Sequence, residues 1–196
     1  PICIRDKLWI IPTWHSQELK NGINLILDPG LAFGTGSHPT THLCIEWLID
    51  NVKKNNQILD YGCGSGILAI AAKKIGCKSA LGVDIDPQAL IASKDNAKLN
   101  NVNIEFIESS EPIEIKADLI VANILSSALS VLAPVLASYC RPGGIIALSG
   151  ILETQEKKIK VIYQEWFDII GVTKREGWVC ISAVRRNNYC LLYTSD

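Results

Sequence analysis

Methionine is missing from all 196 residues, and the chain opens on proline. A complete unprocessed product begins with Met, so the expectation is a fragment, or a chain truncated at its start. An excess of either charge is lacking too: nineteen basic against twenty acidic residues leave a net charge of -1. That excludes a global basic field for non-specific nucleic-acid binding. The seven cysteines, Cys3, Cys44, Cys63, Cys77, Cys140, Cys180 and Cys190, include no CxxC pair, which removes zinc-ribbon and thioredoxin-like spacings. Their odd number in a chain this long is no disulfide framework and points to a reducing, cytoplasmic setting. No signal-peptide pattern opens the sequence. Residues 119–140 carry no charge over 22 positions, yet Asn123, four serines and Pro134 interrupt them. A buried strand leading toward a helix is expected there, not a membrane span.

What is present is an average soluble composition, 48% hydrophobic and 20% charged, sized for one domain. Residues 1–27 show no helical period, and Leu8-Trp9-Ile10-Ile11-Pro12 reads as a short strand stopped by proline. A turn-rich loop over 28–41 leads into a short helix over 42–50, with Pro39 suited to its start. From Gln57 the pattern alternates. Strands are expected at 58–61, 80–84, 104–107, 119–122 and 144–149, with helices at 67–75, 87–99 and 125–139 between them. A helix over 154–166 and a hairpin of 169–175 with 178–184 about Gly177 complete the pass. Short strands apolar on both sides, separated by amphipathic helices, predict an α/β fold: a seven-stranded, mostly parallel sheet, helices on both faces, and a C-terminal antiparallel hairpin at its edge. Residues 187–196 carry no usable pattern and read as a non-native or disordered tail.

In an open α/β sheet, ligands sit beyond the carboxyl ends of the strands where strand order reverses, and the first glycine loop marks that place. The loop here is Gly62-Cys63-Gly64-Ser65-Gly66, with Ile67 where a dinucleotide fingerprint has its last glycine. Glycines let a backbone pass close to a ligand and turn sharply into a helix; a purely structural turn is the other reading. Asp84 ends the second strand, 22 residues after Gly62, where a carboxylate can accept hydrogen bonds from both hydroxyls of a ribose. Strand-end capping is the alternative for Asp84 and Asp86. Asp60, just before the loop, adds a negative charge that disfavours a pyrophosphate and favours a ligand bearing an ammonium and a sulfonium. His38 and His42 stand i, i+4, but no glutamate lies between them and no third ligand is near, so capping and loop packing are expected, and no metal. Cys63 has no charge partner and reads as a small buried filler.

Asp60-Tyr61-Gly62-Cys63-Gly64-Ser65-Gly66, followed by Gly82-Val83-Asp84-Ile85-Asp86-Pro87, resembles the S-adenosylmethionine-dependent methyltransferases with the seven-stranded Rossmann-like fold. Three further segments narrow the resemblance. Residues 27–41 (LDPGLAFGTGSHPTT), Val121-Ala122-Asn123-Ile124-Leu125 and Leu148-Ser149-Gly150-Ile151-Leu152 look like signatures of the PrmA family, which methylates the eleventh protein of the large ribosomal subunit. The resemblance covers roughly residues 7–186. Position by position it implies cofactor contacts from Thr41, Gly62, Asp84 and Asn123, with Asp60 near the methionine ammonium through a bridging group. Gly64 belongs to the same glycine cradle, and Phe33, among small residues, is a candidate to close over the adenine or the methyl donor. The implied protein is a monomeric cytoplasmic enzyme that uses S-adenosylmethionine to methylate lysine side chains and the N-terminal amine of that ribosomal protein, with no direct nucleic-acid or membrane partner. Family members carry a separate N-terminal recognition domain, and none of it is visible here. Residues 1–50 are therefore read as linker and lead-in with the signature loop and first helix, and 51–186 as the S-adenosylmethionine-binding catalytic domain. Two other readings stay open: a related methyltransferase for another protein lysine or a small amine, and a non-catalytic S-adenosylmethionine-binding module.

A methyl group leaving a sulfonium by in-line displacement needs a nucleophile with a free lone pair. A lysine ammonium near pKa 10.4 must first lose a proton, which at pH 7 costs about 4.6 kcal/mol. A dry pocket disfavours the charged form, and positioning does most of the remainder. The side-chain carbonyl of Asn123 can accept an amine N–H and aim the lone pair, which makes it the candidate catalytic residue; a strand-end turn is its other reading. Ile124 and Leu125 after it depart from the Asn-Pro-Pro-aromatic pattern of amide and adenine methylators, which disfavours glutamine, adenine and cytosine as targets.

Overall fold

Strands that are apolar on both sides need cover on both sides, and the chain provides it by alternation. A computed structural model describes residues 1–15, 21–28, 30 and 34–187. Three short strands come first, β1 (Ile2–Ile4), β2 (Leu8–Pro12) and β3 (Ile23–Leu27), followed by helix α1 (Pro39–Asn51). Then run β4 (Gln57–Tyr61), α2 (Ile67–Ile75), β5 (Ser79–Asp84), α3 (Pro87–Leu99), β6 (Glu105–Glu108), β7 (Ala117–Asn123) and α4 (Ser126–Tyr139). The chain closes through β8 (Cys140–Leu152), a 3₁₀ turn (Glu153–Gln155), α5 (Glu156–Tyr163), β9 (Phe167–Arg175) and β10 (Trp178–Arg185).

The main sheet has seven strands in the order β6-β5-β4-β7-β8-β10-β9. All neighbours are parallel except that β10 runs antiparallel to both β8 and β9. The C-terminal hairpin of β9 and β10 forms one edge of the sheet, as expected. The antiparallel strand is internal, and the outermost strand, β9, runs with the parallel set. Burial explains the order: Val179, Ile181 and Ala183 of β10 are fully buried, whereas β9 is largely exposed beyond Phe167. A tight turn with Glu176 and Gly177 at positive φ joins β9 directly to β10 and keeps the two adjacent.

Alternation divides the core in two. Ile58, Leu119, Val121, Ala147 and Cys180 face one side, where α1, α2 and the three-stranded sheet cover them. Leu59, Ile120, Ala122, Ile146 and Leu148 face the other, packed on Leu129, Leu136 and Ala137 of α4 and on Ile159 and Tyr163 of α5. The small sheet, β1 antiparallel to β2 and β2 parallel to β3, was foreshadowed only at β2. Its Ile4, Leu8, Leu25 and Leu27 are buried in the first core, so it forms by tertiary packing on short segments that lack a long period. α5 is shorter than expected, being preceded by the 3₁₀ turn. The uncharged stretch 119–140 divides between β7 and α4, which keeps Pro134 inside the helix on an exposed position. Among the described residues no helix is long and apolar enough to cross a membrane. Phe33 and residues 188–196 lie outside the described residues.

Candidate functional site

The parallel strands β4, β5 and β7 end at Tyr61, Asp84 and Asn123 on one rim of the sheet. β4 is flanked by β5 on one side and β7 on the other, so strand order reverses beside it, where open α/β sheets form their ligand crevice. The glycine loop is docked on the end of β5. Gly62 N and Cys63 N both donate to Val83 O, at 2.7 and 2.9 Å. Gly64 N donates to Asp84 Oδ2 at 2.8 Å, and Asp86 N to Asp84 Oδ1 at 3.0 Å. Two backbone donors thus orient the half-buried Asp84 carboxylate, and each oxygen keeps capacity for a further donor. Asp86 is the N-cap of α3, accepting from Gln88 N at 2.9 Å, so capping is the observed role of Asp86.

Asn123 joins this loop through the residue after it. Gly62 has φ +77°, and a methyl group on it would overlap Ile124 Cγ2. Gly150, at φ +86°, approaches the Ile124 carbonyl so closely that a Cβ has no room. Two glycines therefore grip Ile124 from either side and hold the carboxyl end of β7 against the glycine loop. Asn123 is half-buried and opposite Ser149 in the sheet, and its side chain makes no hydrogen bond among the described residues. Ser149 itself is spent, its Oγ donating to Val179 O at 2.8 Å.

Asp60 lies behind the loop, 1% exposed. Its Oδ2 accepts from Ala69 N in α2 at 3.0 Å, but Oδ1 is buried without a partner. Burial pushes the carboxyl up to about 7, the Ala69 N–H works against that shift, and the Asp84 charge adds to it. The site thus holds an acid whose ionised form has no counterion among the described residues, an arrangement that suits a cationic ligand group. Cys63 is buried beside it, with its thiol driven far above its usual range by burial.

Thr41 sits buried in the first turn of α1, which starts at Pro39, three residues earlier than the pattern predicts. His38 caps this helix, accepting from Thr40 N at 3.2 Å, and its ring meets Trp178 edge-on at 4.8 Å. His42 pairs instead with Glu46 at 3.0 Å. The two histidines have separate partners, and among the described residues no three His, Cys, Asp or Glu side chains gather.

No motif singles out the polar groups that hold this site from behind. Ser93, Asn96 and Asn100 of α3 and its C-cap are all nearly inaccessible and face inward. Ser93 Oγ donates to Gly64 O at 2.7 Å, and Asn96 Nδ2 to Ser65 O at 2.9 Å. Asn100 accepts from Ile26 N at 2.8 Å and donates to Ile26 O at 2.7 Å. Their spacing of three and four on the face that also buries Ala89 and Ala97 is the signal that was available.

The family model described as ribosomal protein L11 methyltransferase (PrmA) matches residues 1–186. A ribosomal protein L11 methyltransferase from Methylobacillus flagellatus is 56% identical over 186 residues, 95% of this chain and 63% of its own length. Its counterpart from Dechloromonas aromatica is 51% identical over 185 residues, 94% of this chain and 62% of its own. The chain therefore spans less than two thirds of the curated relatives it matches. Among solved structures, a ribosomal protein L11 methylase from Lactobacillus delbrueckii subsp. bulgaricus matches with a TM-score of 0.86 at 37% identity, covering 93% of this chain and 96% of that one. A methyltransferase from Pyrococcus furiosus, at 18% identity and a TM-score of 0.65 over 76% of this chain and 87% of its own, shares the fold alone.

Proposed function

The chain belongs to the ribosomal protein L11 methyltransferase (PrmA) family, and on that premise we propose that it methylates lysine side chains and the N-terminal amine of ribosomal protein L11, with S-adenosylmethionine as donor. The residues present fit that donor. Asp84 offers a fixed carboxylate to the ribose hydroxyls, the glycine loop packs tightly on Ile124 and Ser93 at the strand ends, and the buried, unpartnered Oδ1 of Asp60 suits the field of an ammonium. When bound, S-adenosylmethionine supplies an electrophilic methyl on a sulfonium. The chain's own task is to present a neutral amine. Asn123 accepts an amine N–H through its carbonyl and fixes the direction of the remaining lone pair. Its backbone is immobilised by the sheet and by the glycines that grip Ile124, so the aim costs little reorganisation. The enzyme acts as a cytoplasmic monomer.

The observation that carries this reading is the junction of Asn123, Gly62 and Asp84 at one strand-order reversal. Incubation of the protein with purified ribosomal protein L11 and S-adenosylmethionine is expected to raise the mass of the substrate in steps of one methyl group. Asn123→Ala is expected to lower kcat about 10²-fold at saturating S-adenosylmethionine, a loss that weaker donor binding does not account for. An unmodified substrate, or a variant with wild-type kcat, overturns the assignment.

A further inference from the structure

Two separate pieces of chain meet on one glycine-loop residue, and one of them carries the tie on to a third. Ser65 Oγ donates to Gly34 O at 2.7 Å, on the segment that leads through His38 into α1 and Thr41. Ser65 O accepts from Asn96 Nδ2 at 2.9 Å, and Asn96 Oδ1 accepts from Asp28 N at 3.0 Å, at the end of β3. Ser65 is 2% and Asn96 1% exposed. A carboxamide on the inward face of a helix is an expensive choice: it adds little stability when fully bonded and is costly for each group left unbonded. Asn96 bonds through both ends of its amide, so what it provides is a defined geometry among segments distant in sequence. Gly64 O is likewise held, by Ser93. With the carbonyls of Gly64 and Ser65 both turned onto α3, peptide planarity directs the N–H of Ser65 to the opposite side.

We propose that Ser65 and Asn96 are positioning residues that set the glycine loop in register with the end of β3 and the segment entering α1, so that Thr41 and the glycine cradle act on one donor molecule. The proposal rests on the S-adenosylmethionine reading of the site and concerns residues that touch each other, not the ligand. Isothermal titration with S-adenosylhomocysteine, well below each variant's unfolding transition, gives the first readout. Ser65→Ala and Asn96→Leu are each expected to weaken binding about tenfold. The double variant is expected to lose less than the sum of the two single losses, because the bonds they cut converge on Ser65. Amide hydrogen exchange on the unliganded protein gives the second: the Asp28 N–H is expected to exchange faster in Asn96→Leu, which removes its acceptor. Folded variants with wild-type affinity, fully additive losses, or unchanged exchange at Asp28 overturn the proposal. Wild-type protein that binds no S-adenosylhomocysteine refutes the underlying reading, and exchange at Asp28 then decides the tie alone. If Asn96→Leu does not fold, Ser65→Ala, which removes a single oxygen, decides by affinity.

Discussion

At Asp60 a buried carboxylate meets one donor and, among the described residues, no counterion, and the sign of its effect on stability follows. Burial raises its pKa from 3.8 to about 7, so between those values the folded chain holds a proton that the unfolded chain has lost. Stability is therefore expected to fall as pH rises through this window, by about 4 kcal/mol in all for the one group. His42 acts in the opposite sense: burial lowers its pKa below 6.5, so it removes stability as pH falls. The comparison that isolates Asp60 is urea unfolding of the wild type and Asp60→Asn at pH 5 and pH 8, where the variant is expected to lose less stability on going to the higher pH. Asp84 is the complementary case, a half-buried carboxylate with two backbone donors and spare lone pairs. Asp84→Ala is expected to weaken S-adenosylhomocysteine binding at least about tenfold by calorimetry, the worth of one charged hydrogen bond.

Between elements, glycine decides how closely strands and loops approach. Gly150 leaves no space for a Cβ beside the Ile124 carbonyl and sits at φ +86°, so Gly150→Ala is expected to cost about 3 kcal/mol or more in chemical denaturation and to displace Asn123. Gly171 lies on the edge strand β9 with nothing within 4 Å, so Gly171→Ala is expected to change stability by no more than about 0.5 kcal/mol. Most of these elements were legible beforehand because their signals are local. Alternating apolar runs mark β4, β5 and β7, and Pro87 and Gly76 bound helices α3 and α2. β1 and β3 were not legible, since their apolar side chains gain meaning only against α1 and α2.

At the scale of the molecule, one face of the main sheet is shared by α1, α2 and the three-stranded sheet, so the N-terminal strands and the glycine loop stand on a common core. Trp47 fastens α1 to the internal strand β10, its Nε1 donating to Ser182 Oγ at 3.0 Å while the ring is 9% exposed. Arg5 also reaches α1, pairing with Glu46 at 3.0 Å and with Asp50, but in the open. Trp47→Phe is expected to lower stability by about 1–2 kcal/mol, through the lost bond and a smaller ring. Arg5→Ala is expected to lose less than about 1 kcal/mol, in a way that high salt abolishes. Denaturant titrations of both variants at two salt concentrations check the contrast.

By itself the sequence determined the alternation of strands and helices, the glycine loop at the end of the first parallel strand, and the acid and amide at the ends of its neighbours, because each is written in residues close together in the chain. Only the tertiary structure decided that β10 slips inside β9, that Ile124 is gripped between Gly62 and Gly150, that one oxygen of Asp60 is sealed from solvent, and that Ser65 and Asn96 bind three segments together. The contacts between these segments join residues 26 to 68 positions apart, and they depend on which apolar face is buried against which, a competition that no local pattern records.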